Sequence, residues 1–292
     1  MFPQLLANAL IAASIYGLVA LGFGLIYSTT RFFHFAHGAI YTSAAYLGFL
    51  FAVWCGFRFP LAFTLAIGAA SLLGVLIEIG VYRRLRRNNA TSIVLLLSSL
   101  GVLIAAQNSL SLTFGDSSKS LHRGIAGEAL QLWGARITSL QLTMIVVSFA
   151  LWLLTWVLIR FTRLGRMIRA VGNDPELSRV VGVDADKVIV VVYAWGSGLA
   201  AAAAILAALD TDMTPMIGFN ALLVGVVAAI VGGIGSIQGS LLGALLVGLA
   251  QHLGVWKLPT QWQDAIVFLT LLIFLLLRPQ GFLGRPIRKA EV

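Results

Sequence analysis

Long apolar runs dominate the chain, and charged residues only punctuate it. No Asp, Glu, Lys or Arg falls in residues 1–30, 32–57, 59–77, 88–115, 137–159, 188–209 or 213–256. A helix needs about 20 apolar residues to cross a hydrocarbon core of about 30 Å. Each run is close to that length or longer, and 213–256 holds at least two crossings. The pattern predicts spans near 5–27, 38–55, 60–82, 91–114, 138–160, 188–209, 219–234, 239–255 and 262–278. The expected fold is an all-α polytopic integral membrane protein with eight or nine transmembrane helices. The lower number applies if one short Gly-rich piece is re-entrant. Residues 1–292 are expected to form a single transmembrane domain, with no soluble domain.

Composition agrees with this pattern. Hydrophobic residues make up 59% and charged residues 11%, whereas an ordinary soluble domain carries about 25% charged residues. The net charge of +9 does not imply nucleic acid, because the basic residues lie in short clusters between apolar runs rather than on one patch. They do set an orientation. With the C-terminus in the cytoplasm, 15 basic residues fall inside and 5 outside, which places the N-terminus outside. The single cysteine, Cys55, excludes an internal disulfide. The first basic residue is Arg31, so the opening run reads as a retained helix rather than a cleaved signal.

Two loops exceed a turn. The outside (periplasmic) loop 115–137 is polar with scattered apolar residues and is expected to form a short hairpin or cap. The inside loop 161–187 carries more. Arg160, Arg163, Arg166 and Arg169 alternate with apolar residues, as in an amphipathic helix at the headgroup surface. A second, short helix comes next. Asn173 or Asp174 is its N-cap, Pro175 its first residue, Glu176 sits at the positive end of its dipole, and Gly182 lies just past its C-terminus. Leu177, Val180 and Val181 share one face. A helix of about two turns is unstable alone and needs a surface. That surface is the chain's own membrane domain, lipid, or a groove on a cytoplasmic partner.

The breaks FHFAHG at 33–38 and GGIGSIQG at 232–239 interrupt two long apolar stretches. Unwound backbone in a membrane is buried in protein or lines a cavity, and matched interruptions in two halves point to a transport path. The candidate path residues are His34, His37, Gly38, Gly232, Gly233, Gly235 and Ser236. Gln107 and Asn108 sit mid-span, where hydrogen bonding between helices is the first reading and path lining the second.

Three segments together resemble one family. Gly17 to Tyr46, Val231 to Gly243 and the loop 161–187 are similar to the first helix, the Gly-Gly-Ile-Gly-Ser segment and the cytoplasmic coupling segment of branched-chain amino-acid permeases of ATP-binding-cassette importers. The shorter subunit of the permease pair, shared with urea and short-chain amide systems, is the better match. The family usually has Asn where this chain has His34, and Pro where it has Gln238. The resemblance implies a bacterial inner-membrane importer of branched-chain amino acids or related small polar solutes. It implies a second permease subunit in a heterodimer, two cytoplasmic ATPases that hold ATP and Mg, and a periplasmic solute-binding protein. It also makes Asn173 through Leu177, with Val180, Val181 and Gly182, the coupling element.

Other constellations say less. The chain lacks the G-x-x-x-x-G-K-[ST] phosphate loop, so no ATPase or other catalytic site is expected in it. Glu78 is expected to pair locally near Arg83, and Asp210 with Asp212 to form a surface turn. His34 and His37 lack Cys or acidic neighbours, so no metal site is expected. Ser197 in WGSG lacks the glycine that an intramembrane protease motif requires at Trp195. A gradient-driven transporter or channel is the alternative, although no charge falls clearly at mid-span.

Overall fold

The structure is a computed structural model and describes residues 2–121, 129–132 and 134–284. The chain runs through α1 (Phe2–Thr30), α2 (Ala36–Phe49, prolonged by a π-helical turn Leu50–Trp54) and α3 (Phe59–Ile77). A π-helical segment Glu78–Tyr82 joins α3 to α4 (Arg83–Arg87), and α5 (Ser92–Phe114) comes after it. After the hairpin β1 (Ala129–Leu132) and β2 (Ala135–Thr138) come α6 (Ser139–Phe161), α7 (Arg163–Asn173), α8 (Pro175–Val180) and α9 (Ala185–Asp210). The bundle closes with α10 (Ile217–Gly232), α11 (Ile237–Gly254) and α12 (Gln263–Leu277).

Eight helical stretches among the described residues are long and apolar enough to cross a membrane; α10 is apolar but shorter. The protein is therefore an all-α polytopic membrane protein. The antiparallel hairpin, 129–138, takes up the end of the expected 115–137 loop, while 122–128 and 133 are outside the described residues, as is the tail beyond 284.

α1 and α9 are the central pair, buried through most of their lengths. Neither has a polar face, as expected of helices enclosed on all sides. The outer helices bury one stripe each. In α3 that stripe is Ala62, Ala66, Ala70 and Gly74, four residues apart, while Leu61, Leu65, Leu72 and Leu76 point outward. Lipid is as apolar as leucine, so helices in a bilayer associate through small residues that admit close approach.

Side-to-side contacts fix the directions of the helices. Gln4 Nε2 donates to the Arg136 carbonyl, Gln141 Nε2 donates to Asp210, and the Phe2 ring lies 6.1 Å from Trp256. At the other end Arg31 meets Gly172, and Arg83 and Arg87 meet Asp186. α1 and α9 are therefore antiparallel, and the described arginines of 31, 83–87 and 160–179 gather at one end.

Each central helix is succeeded by a non-helical segment that turns back into the bundle. Residues 31–35 lead to α2, and 211–216 lead to α10. A Cβ on Gly22 would lie 3.1 Å from the His37 ring, so α2 starts beside α1 well short of its end. That is eight residues, or about 12 Å of helix, before Thr30. The starts of α2 and α10 meet: Gly218 N–H donates to Thr42 Oγ1 at 3.0 Å, and a Cβ on Gly38 would lie 2.7 Å from the Gly218 carbonyl. Around this meeting the packing is reciprocal. α1 crosses α9 at Gly22 and Gly196, α1 packs on α10 at Val19 and Gly225, and α2 packs on α9 at Gly48 and Ile205. α1 also lies along α11, as α9 lies along α3. Helices α1–α3 thus have inverted counterparts in α9–α11.

This corrects one expectation. The partner of the break at 33–38 is 211–216, not 232–239. Residues 233–236 form a tight turn between α10 and α11 at the arginine-rich end, with Gly233 and Gly235 at φ of +102° and +83°. Ser236 caps α11 by accepting from Gly239 N–H at 3.0 Å. The segment after α12 crosses this turn, where Phe282 and Leu283 N–H groups donate to the Val231 and Gly232 carbonyls at 2.9 and 3.0 Å. Carbonyls that a helix end leaves orphaned are thereby satisfied.

Candidate functional site

The arginine-rich end carries the α7–α8 unit. Thr162 caps α7 through Gly165 N–H at 3.1 Å, and α7 buries Gly165, Ile168 and Val171 against α6, α1 and α9. Arg163 and Arg166 stay exposed, while the Arg169 guanidinium donates to the Ile159 carbonyl at the end of α6. α7 therefore packs on the bundle as well as presenting a basic face.

Asp174, not Asn173, caps α8. Its carboxylate accepts from the Glu176 and Leu177 N–H groups, each at 2.9 Å, while Asn173 ends α7. Pro175 takes the first helical position, where its missing N–H loses nothing. Past the C-terminus, Gly182 adopts φ of +84° and its N–H donates to the Arg179 carbonyl at 3.1 Å. Between these caps only Ser178 is buried. Leu177, Val180 and Val181 are 60%, 82% and 69% exposed, so among the described residues nothing covers the apolar face. Glu176 is exposed beside them.

The break at 31–35 holds the second constellation. Arg31 adopts φ of +58° and ends α1; Phe32 and His34 are buried. Ser99 on α5 accepts from Phe35 N–H at 3.1 Å and donates to the Phe33 carbonyl at 3.2 Å, pairing backbone that the break leaves open. The His34 ring stands edge-on to Tyr82 and Tyr193, with centroids 5.3 and 5.1 Å away. Neither ring nitrogen of His34 has a hydrogen-bond partner, nor has the Tyr82 hydroxyl. Beside them Glu78, fully buried, receives the Arg86 guanidinium through both carboxylate oxygens, one at 3.1 Å.

The path candidates do not converge. His34, His37 and Gly38 are buried at the first break. Gly232 and Gly233 are buried and Gly235 exposed in the α10–α11 turn, with Ser236 as cap. Gly22 faces His37 and Gly24 faces Gly235, which puts the two groups on opposite sides of α1. Gln107 is buried on α5, while Asn108 is exposed and donates to its own Ile104 carbonyl. Gln238, a departure from the resembled pattern, is exposed in the first turn of α11. Glu78 pairs with Arg86 rather than Arg83, and Asp210 accepts from Gln141 at 3.1 Å.

Sequence reasoning passed over Tyr82, Tyr193, Ser99 and Thr42. A signal existed for the first: the small stripe of α3 continues at four-residue spacing through Glu78 to Tyr82. Nothing local marks Ser99 or Thr42, whose partners lie 64 and 176 positions away.

The whole chain has relatives. A family model described as branched-chain amino acid transport system / permease component matches residues 5–276. The high-affinity branched-chain amino acid transport system permease protein LivH of Escherichia coli (strain K12) is 33% identical over 298 residues, covering 98% of this chain and 96% of that protein. The corresponding permease BraD of Pseudomonas aeruginosa is also 33% identical over 298 residues, with the same coverage. Among solved structures, PsaBC from Streptococcus pneumoniae in complex with Fab superposes with a TM-score of 0.54 at 16% identity, covering 95% of this chain and 93% of that one. At that identity the likeness is one of fold.

Proposed function

From the premise that this chain belongs to the branched-chain amino acid transport permease family, we propose that its α7–α8 unit is where ATPase subunits drive it. The chain is the membrane-spanning permease component of an importer of the ATP-binding-cassette type. In the proposed assembly it pairs with a second permease in a bacterial inner membrane, receives solute from a periplasmic binding protein, and stands on two cytoplasmic ATPases that hold ATP and Mg. The arginine-rich end faces the cytoplasm, as the bias of basic residues toward that end favours. The cargo is a branched-chain amino acid or a related small polar solute.

One observation carries the coupling role. A six-residue helix is capped at both ends yet, with its C-cap residue Val181, exposes the apolar side chains of Leu177, Val180 and Val181. Caps supply geometry without burial, so the face is complete as a shape and awaits a groove. Docking there gives ATP binding a contact through which to bias two arrangements of the membrane helices, which requires different contacts in each. The reading is tested by affinity capture from native membranes, comparing wild type with the pair Glu176→Ala and Leu177→Ala. Wild type is expected to bring down ATPases and a second permease, and the variant to insert normally but lose the ATPases and uptake. Unchanged uptake in the variant would overturn it.

A further inference from the structure

We propose that Arg31 is the strut by which the α7–α8 unit positions the re-entrant segment 32–35; the inference rests on the coupling reading above. Four observations meet at this residue. First, its Nη2 donates to the Gly172 carbonyl at 2.5 Å. That carbonyl lies in the last turn of α7, and the N–H that would close on it within a continued helix, that of Glu176, is committed to Asp174. Arg31 therefore holds an otherwise orphaned carbonyl at the negative end of a helix, where a cation is favoured. Second, the two helix ends touch. A Cβ on Gly172 would lie 3.1 Å from the Ser28 carbonyl, so α7 rests directly on the last turn of α1.

Third, Arg31 is one of two non-glycine residues with positive φ among those described, the other being Asn89. The left-handed region is unfavourable for a bulky L-residue and persists where surroundings over-determine it. Here its own N–H closes α1 on the Tyr27 carbonyl at 2.9 Å, and its side chain is tied to α7. The reversal that sends the chain back into the bundle is thus fixed from both sides. Fourth, among the described residues segment 32–35 has a single polar anchor of its own to another helix. Ser99 ties its inner end, and His34 stands against Tyr82 and Tyr193 without a hydrogen bond. A side chain held by ring contacts alone moves with its backbone. A shift of α7 is delivered through Arg31 to Phe32 and His34, which touch α3's π-helical extension and α9.

Arg31 is a positioning residue. It touches neither the proposed ATPase face nor a solute, and its effect should appear in coupling rather than docking. The test uses the whole complex, captured with its ATPases and reconstituted in vesicles, carrying Arg31→Gly, Arg31→Lys or Arg31→Gln. Glycine accepts the positive φ without strain, so the fold of the reversal is kept while the strut is removed. Uptake and ATP hydrolysis are measured together, with hydrogen exchange of residues 31–38 and 173–182 monitored with and without ATP. For Arg31→Gly and Arg31→Gln, solute moved per ATP is expected to fall about tenfold, the scale of one charge-assisted hydrogen bond in an equilibrium. The ATP-dependent change in exchange at 31–38 should vanish, while 173–182 stays protected by the ATPases. Arg31→Lys, which keeps a donor and a charge, should restore most of the ratio.

Wild-type coupling in Arg31→Gly and Arg31→Gln would overturn the proposal. So would ATPase loss in proportion to uptake, since Arg31 would then serve docking. Failure of the coupling reading itself looks different: the Glu176 and Leu177 variant would retain its ATPases whatever Arg31 does.

Discussion

The contact between α3 and α9 gives a sharp test of the packing account, through Gly74 and Ser197. A Cβ on Gly74 would overlap Ser197 Oγ and lie 2.8 Å from Ser197 Cβ, with the Tyr193 carbonyl at an ordinary 3.4 Å. Gly74→Ala therefore forces the two helices apart, and overpacking of this kind costs about 1–3 kcal/mol. Ser197→Gly loses helix propensity, a cost of about 1 kcal/mol or less. It also removes a buried hydroxyl that has no partner. In the double variant the new methyl enters the space that the serine left. The pair should then be more stable than the sum of its parts by about 1–3 kcal/mol, which a double-mutant cycle measures directly. Ser197→Ala is the control. It deletes Oγ but keeps the Cβ at 2.8 Å, so it should rescue Gly74→Ala only weakly. Unfolding by increasing SDS in mixed micelles, read as the folded fraction, supplies the four corners. Additive effects, or rescue by alanine equal to that by glycine, would refute the view that backbone proximity at this crossing decides the packing.

Two other contacts lead to further expected outcomes. Glu78→Ala leaves the Arg86 guanidinium facing a buried void. Breaking a buried pair costs about 3–5 kcal/mol, and the side chain of Arg86, 20% exposed, should bring the loss to the lower end or below it. Thermal unfolding in detergent should show Glu78→Ala to be worse than the Glu78→Ala, Arg86→Ala double variant, and equal losses would speak against the pairing. Asp174→Ala removes the acceptor for two N–H groups of α8. It should destabilise that helix by about 1 kcal/mol, seen as faster hydrogen exchange at Glu176 and Leu177 with the melting temperature of the bundle unchanged; protection equal to wild type would contradict the capping role.

The spans were legible because charge-free runs and bilayer thickness constrain the same length, and the short helix α8 because its caps are local. The first break was legible too, since Arg31, the two histidines His34 and His37, and Gly38 interrupt an apolar stretch. Its inverted counterpart was not. Residues 211–216 re-enter with Met213 and Pro215 buried and carry no charge beyond Asp212, so their hydropathy matches that of a surface turn leading into a span. The Gly-rich run 232–239 offered a more visible but incorrect match. Glycine content reports a need for close approach or positive φ, and a tight turn meets that need as fully as a broken helix does. The local pairing of Glu78 was legible, and the structure supplies its partner, Arg86. The π-helical turn widens the helix, so the residue eight positions on, rather than the fifth, returns to the same face.

The two re-entrant starts are related by inversion, yet their surroundings differ in chemistry. The end near 211–216 is closed by a backbone bridge between Lys119 and Met213, by the stacked rings of Trp54 and Phe114, and by one amide-to-carboxylate hydrogen bond, from Gln141 to Asp210, with no guanidinium contact among the described residues. The end near 31–35 is closed by oriented polar contacts: Arg31 with Gly172, Arg83 and Arg87 with Asp186, and Glu78 with Arg86. Contacts of the second kind respond to changes in charge and hydration, because their strength depends on the dielectric around them. A partner seated on α8 alters that environment, for Asp186 lies six residues beyond Val180 and Gly172 lies three before Pro175. The same partner leaves the opposite end untouched. The inverted pair therefore places two similar pivots in one bundle, and only the one at 31–35 lies beside the α7–α8 unit. Under the proposed coupling role, that asymmetry would let a symmetric core be driven from the arginine-rich end, and it arises from where the arginines and carboxylates fall rather than from any difference in helix packing.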